Sequence, residues 1–234
     1  MADQPPAAKA GPSLVVDQLG FAWPTGHSAL NHCSFTIPRP GLWMLVGGNG
    51  SGKSTLLRLI AGLLTPSRGR LQRPLKPALV FQNPDHQLLL PSCGSEIELA
   101  LPAGLPTAQR LARVEQVLDQ VGLGGFRKRP IHSLSGGQKQ RLAIAGALAS
   151  EALLLLLDEP TALLDETSQL EVLRLIRDLC DRPQQPITAL WITHRLEELR
   201  WCDAAAQMER GSVGRWQPGR DLERRLSPLA GGKG

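Results

Sequence analysis

The chain has 234 residues, room for one globular domain that carries an inserted subdomain. Hydrophobic residues make up 42% and charged residues 20%, as in ordinary packed folds, and the longest apolar run, Ala152 to Leu157, is far too short to span a bilayer. The net charge of +5 comes with four Phe, no Tyr and no basic run interleaved with aromatics, so no nucleic-acid partner is expected.

Residues 1–12 are rich in Ala and Pro, with no apolar core like that of a signal peptide, and read as a disordered tail. Leu14 to Leu19 and Ser34 to Ile37 read as short, partly alternating strands of a small antiparallel sheet. Leu42 to Val46 is a continuous apolar run, as in strands buried on both faces of a parallel sheet. Ala78 to Phe81, Ala152 to Leu157 and Ile187 to Thr193 have the same character. Helical spacing appears in Thr55 to Leu63, in Leu111 to Val121 before Gly122, and in Leu170 to Leu179 before Pro183. Residues from about 84 to 150 are mostly helical and read as an insertion between two parallel strands. Arg210, Arg215, Arg220, Arg224, Arg225 and Lys233 make the end of the chain basic, and residues 223–234 read as a basic, Gly-rich tail. Cys33, Cys93, Cys180 and Cys202 are scattered without metal-ligand spacing and read as reduced thiols.

Strands alternating with helices give an α/β fold, whose ligands gather at the carboxyl ends of the strands. Each of the four apolar runs ends there in a polar group: a glycine loop, Gln82, Asp158-Glu159 and His194.

The glycine loop, Gly47-Gly48-Asn49-Gly50-Ser51-Gly52-Lys53-Ser54, fits G-x-x-x-x-G-K-[ST] between a strand and a helix. Its backbone N–H groups can surround phosphate oxygens, and the helix start adds a favourable field for anions. Lys53 can reach β- and γ-phosphates, the Ser54 hydroxyl can bind Mg²⁺, and Thr55 can add a phosphate contact. The loop alone implies a nucleoside triphosphate site and no particular reaction. Asp158 suits the same Mg²⁺ site, and Glu159 is placed to orient and deprotonate an attacking water.

Leu134-Ser135-Gly136-Gly137-Gln138 opens a second helix with glycines and a cap residue, a second candidate anion site. With this pentapeptide the chain resembles the ATP-binding-cassette (ABC) family over residues of about 14–214. The motif order also matches: phosphate loop, Gln82, pentapeptide, Asp158-Glu159, His194. The resemblance implies a P-loop NTPase with a RecA-like parallel sheet, an N-terminal antiparallel β subdomain and an inserted helical subdomain, together over 13–222. It implies ATP and Mg²⁺, and a head-to-tail dimer, with an identical or related chain, in which Ser135, Gly136, Gly137 and Gln138 of one subunit close over the other's γ-phosphate. By the same resemblance Gln82 senses Mg²⁺, His194 contacts the γ-phosphate, Trp23 stacks on adenine, and Asp165 links the two sites. Leu163-Leu164 and Arg195 depart from the common pattern.

Gln82-Asn83-Pro84-Asp85-His86-Gln87 resembles the ATPases of energy-coupling-factor transporters, which import metal ions or vitamins. Asp85 and Gln87 are then candidates for a surface facing an integral membrane subunit, and the chain would sit peripherally at the cytoplasmic face. A cassette ATPase without transport, for example in cluster assembly, stays open, as does a nucleotide-dependent scaffold that hydrolyses little.

Overall fold

A computed structural model describes residues 11–227. The expected N-terminal tail lies almost wholly outside them, and so does the end of the chain from residue 228.

Among the described residues the strands are β1 (Leu14–Ala22), β2 (Ser28–Ile37), β3 (Gly41–Val46), β4 (Arg68–Gln72), β5 (Pro77–Val80), β6 (Leu154–Asp158), β7 (Thr188–Thr193), β8 (Ala204–Glu209) and β9 (Ser212–Val213). The helices among them are α1 (Lys53–Ala61), α2 (Cys93–Ala100), α3 (Thr107–Gln120), α4 (Gly136–Ala149), α5 (Glu166–Cys180) and α6 (Gly219–Leu226). Short 3₁₀ segments add Pro84–His86, Ile131–Ser133 and Leu196–Trp201.

β3, β5, β6 and β7 carry the apolar runs, and they pair in parallel in the order β5-β6-β7-β3, followed by β8 and the antiparallel β9. Because strand side chains alternate, each of these runs feeds two cores. Met44, Leu155, Leu157, Ala189 and Trp191 pack on the face covered by α2, α3, α4 and α5. Trp43, Leu45, Leu154, Leu156, Leu190 and Ile192 pack on the other face, against α1 and the sheet β2-β1-β4. Everything between β5 and β6 is helix or loop, from Pro84 to Ala149.

Differences from the expected elements have local causes. The first two strands run longer, to Ala22 and back from Ser28, because they pair with each other along their length. The helix after the glycine loop is Lys53–Ala61, ending at Gly62 rather than Leu63. β4 (Arg-Gly-Arg-Leu-Gln) is charged, and β8 begins with three alanines, so neither carries β propensity; pairing with β1 and with β3 makes them strands. The expected tail boundary at 222/223 falls inside α6. Leu222 is fully buried, Glu223 pairs with Arg200, and a Cβ on Gly219 would lie 1.8 Å from the Leu199 carbonyl oxygen, so this basic stretch is a docked helix.

Candidate functional site

In the sheet order β6-β7-β3, three neighbouring strands end in the three loops that matter. β3 runs into the glycine loop, β6 ends at Asp158 followed by Glu159, and β7 leads to His194. Parallel pairing therefore brings residues more than a hundred positions apart to one edge.

The glycine loop is tightly seated. Gly52 has φ +103, a left-handed conformation that glycine tolerates, and a Cβ there would lie 2.4 Å from the Ala29 carbonyl oxygen. Ser51, Lys53 and Thr55 are buried, while Gly48, Asn49 and Gly50 are exposed. Lys53, only 7% exposed, donates from Nζ to the carbonyls of Gly47 (2.7 Å) and Gly48 (3.0 Å). Its ammonium thus sits inside the loop's own concavity. Burial lowers its pKa, and Glu159 and Asp158 work against that shift.

The Ser54 hydroxyl donates to Asp158 Oδ1 at 3.1 Å. Burial pushes the Asp158 carboxyl above its ordinary value; Ser54 counteracts this and neighbouring Glu159 adds to it. One carboxylate and one hydroxyl beside a phosphate loop fit Mg²⁺, which takes few protein oxygens and keeps water and phosphate ligands. No group of three His, Cys, Asp or Glu able to hold a metal occurs among the described residues, so a soft or all-protein metal cage does not fit.

Glu159 and His194 meet directly, with His194 Nδ1 3.0 Å from Glu159 Oε2. Glu159 has φ +48, a left-handed conformation that costs a side-chain-bearing residue on the order of 1 kcal/mol. Its N–H donates to the Ile192 carbonyl at 3.0 Å, which ties this turn to β7.

The second helix start has a different construction. Ser135 caps α4: its hydroxyl accepts from the Gln138 N–H (3.3 Å), and the Gln138 side chain accepts from the Ser135 N–H (3.0 Å). Ser135 and Gly136 are exposed, whereas Gly137 is buried, because a Cβ there would lie 2.5 Å from Ser168 Oγ. Ser168 is held in turn by Asp165, which caps α5 by accepting from the Ser168 N–H (3.0 Å) and hydroxyl (2.7 Å). Those two bonds hold Asp165 below its ordinary pKa.

Gln82 is exposed just past β5 and makes no side-chain hydrogen bond among the described residues. Trp23 is half-buried after β1, its ring edge-on to Phe21 at 5.0 Å. Gln87 turns back to accept from the Phe81 N–H at 3.3 Å, and Asp85 pairs with Lys139 of α4 at 2.7 Å. The structure thus joins phosphate loop, Asp158, Glu159 and His194 in one place, and it leaves Gln82, Trp23 and the Ser135 element outside that hydrogen-bonded group.

Several residues that matter here have only faint sequence signals. Lys139 and fully buried Gln140 tie α4 to the Gln82 loop, Gln140 by donating to the Phe81 carbonyl at 3.3 Å. Ser168 stands three residues after Asp165, the spacing of a capped helix start. Glu198 stands four residues after His194 and is buried.

Comparison with known proteins agrees with this geometry. A family model described as ABC transporter matches residues 30–162. An Arabidopsis thaliana protein named ABC transporter I family member 10 is 46% identical over 186 residues, 79% of this chain and 69% of its own length. The energy-coupling factor transporter ATP-binding protein EcfA1 of Geobacillus kaustophilus is 40% identical over 220 residues, covering 87% and 78% of the two chains. The solved structure of cbiO1 from Clostridium perfringens, described as part of the ABC transporter complex cbiONQ, superposes with a TM-score of 0.83 at 32% identity over 91% of each chain. The nucleotide loop, the carboxylate pair and these likenesses lead to one conclusion: the chain belongs to the ABC transporter family, as an ATP-binding subunit and an ATPase.

Proposed function

We propose that this ATPase powers an energy-coupling-factor-type importer of a metal ion or vitamin, working as a head-to-tail dimer at the cytoplasmic face of a membrane. The observation that carries the reading is the split between a seated phosphate loop and an exposed, glycine-opened helix start on the same chain. No helix among the described residues is long and apolar enough to cross a membrane, so in this reading another chain supplies the span. The named EcfA1 relatives and the likeness to cbiO1 support the importer class.

In this reading Lys53 leaves the Gly47 and Gly48 carbonyls for the β- and γ-phosphates of ATP. The N–H groups of the loop from Gly47 to Thr55 surround the phosphates, and Trp23 stacks on adenine. Ser54, Asp158 and Gln82 would hold Mg²⁺, which would supply charge neutralisation for the phosphates. Ser135, Gly136, Gly137 and Gln138 of the second subunit donate to the γ-phosphate from the opposite side. Glu159 accepts the proton of the attacking water, and His194 holds the γ-phosphate. Positioning and charge stabilisation do most of the catalytic work. The exposed side of Asp85 and its neighbours faces the membrane subunit.

Isolating the tagged chain from its own membranes in mild detergent tests the transport assignment. An integral membrane protein retained with it at fixed stoichiometry is expected. A purely water-soluble complex in both fractions would contradict transport while leaving the ATPase standing.

A further inference from the structure

Glu159 and His194 each stand one residue beyond the neighbouring strands β6 and β7, and the Glu159 N–H still bonds to the Ile192 carbonyl, so the ladder fixes the two backbones up to that point. Glu159 occupies a left-handed turn, and His194 is 60% exposed at its side chain. Their 3.0 Å side-chain contact depends also on the segments that follow the strands, beyond the reach of the ladder.

Glu198, in the 3₁₀ segment Leu196–Trp201, is only 2% exposed. Its Oε1 accepts from the Thr161 hydroxyl at 2.5 Å, and Thr161, itself buried, lies two residues past Glu159. Its Oε2 accepts from the indole N–H of Trp191 at 3.0 Å, and Trp191 lies on β7 three residues before His194. Arg195, next to His194, brings its Nε to 3.8 Å from Oε1 and pairs its Nη2 with Glu197 Oε1 at 2.8 Å. The backbone N–H of Arg195 donates to Thr193 Oγ1 at 2.9 Å, which pins the turn around His194.

A buried carboxylate is expensive, and replacing such a group with apolar side chains often leaves stability equal or higher. Stability alone therefore gives little reason for this arrangement. Its placement does: one oxygen of the carboxylate holds the turn after Glu159 and the other holds the strand before His194.

We propose that Glu198 is a positioning residue for ATP hydrolysis. It clasps the turn behind Glu159 to the strand in front of His194, and so sets the distance between the Glu159 carboxylate and the His194 ring. The inference rests on the reading of Glu159 as the base. Arg195 adds a cation 3.8 Å from the buried carboxylate, without a hydrogen bond to it.

Three variants of the full chain test it: Thr161→Val, Thr161→Ser and Glu198→Gln, with Glu159→Gln alongside. Steady-state hydrolysis, calorimetric titration with ATP and Mg²⁺, and thermal melting are measured on each. Thr161→Val is expected to lower kcat tenfold or more while KM and the ATP dissociation constant stay within twofold. Thr161→Ser keeps the hydroxyl and is expected to restore kcat. Glu198→Gln can keep both contacts, with its amide N–H toward Thr161 and its oxygen toward Trp191, and is expected to fall between them. Combining Thr161→Val with Glu198→Gln should be no worse than the poorer single variant. Turnover of a folded Thr161→Val within twofold of the parent would overturn the clasp. So would a loss shared equally by ATP affinity and melting temperature, which is the mark of a merely structural role. Wild-type turnover in Glu159→Gln would overturn both readings; a dead Glu159→Gln beside an unaffected Thr161→Val would overturn this one alone.

Discussion

Two helices of this protein begin in glycine-rich turns, and the turns are built in opposite ways. At α1 the turn is closed around a charge: Lys53 is buried and bonds to the carbonyls of its own loop, and no side chain caps the helix. At α4 the turn is capped by a reciprocal Ser135–Gln138 pair, carries no lysine, and leaves Ser135 and Gly136 exposed. The first turn holds its lysine against its own carbonyls, a setting suited to a strong anion. The second is a capped helix end at which Ser135 and Gly136 are open to solvent. A single nucleotide needs only the first, and in the function proposed above the second serves as half of a site.

The largest effect should come from emptying the first turn. Lys53→Ala removes two prospective charge-assisted bonds to phosphate, each worth about 1.5–3 kcal/mol, so affinity for ATP with Mg²⁺ should drop by at least about a hundredfold by calorimetry. A change confined to the second turn, Ser135→Arg, should abolish hydrolysis yet leave that titration unchanged. Equal effects on both readouts would erase the distinction between the two turns.

Next comes the packing behind the second turn. Gly137→Ala would push a methyl to 2.5 Å from Ser168 Oγ and 2.7 Å from Ser168 Cβ. Overpacking of this kind costs about 1–3 kcal/mol and should appear as a lower midpoint in urea denaturation. Adding Ser168→Gly should recover most of it. Recovery of hydrolysis together with stability would show that α4 and α5 move as one piece.

Acid titration separates the nucleotide edge from the opposite end of the sheet. At that end Asp203 accepts from the Leu42 N–H and from Arg177, both at 2.9 Å, and from Arg39 at 3.1 Å. Burial raises its pKa, but Arg177 and the Leu42 N–H outweigh that and hold it low. Its contribution to stability is present above the ordinary carboxylate range and fades as pH falls through its lowered value. Asp158 has the opposite sign, because its raised pKa favours the folded state at low pH and that benefit is lost as pH rises through it. At pH 7, melting of the nucleotide-free protein should therefore be unchanged or higher for Asp158→Asn and clearly lower for Asp203→Asn. Both differences should shrink toward pH 3.

The smallest effect should be that of the cap itself: Gln138→Ala removes half of the box at α4 and should cost about 1 kcal/mol or less in denaturant titration.

Much of this was legible in the sequence where one residue type admits few conformations. The run Leu153–Leu157 before Asp158, and Gly52-Lys53-Ser54 after Val46, could hardly be anything but buried strand ends meeting a phosphate loop. β8 was not legible, because Ala204–Ala206 carry no strand preference and become strand only by pairing with β3. α6 was hidden by its charge: Arg220, Arg224 and Arg225 look like a tail until Leu222 is seen buried and Glu223 paired to Arg200. The clasp at Glu198 was hidden for a third reason. Its partners Thr161 and Trp191 lie 37 and 7 residues away, and only the side-by-side pairing of β6 and β7 brings them together.

The central claim, a site shared between two chains, is most directly tested by light scattering on Glu159→Gln with and without ATP and Mg²⁺. The account predicts a mass that doubles when nucleotide is added and returns to that of one chain when Ser135→Arg is introduced, with ATP still bound. A doubled mass that survives Ser135→Arg would contradict it, as would a chain that stays single with nucleotide bound while the unmodified protein, at the same concentration, turns over ATP.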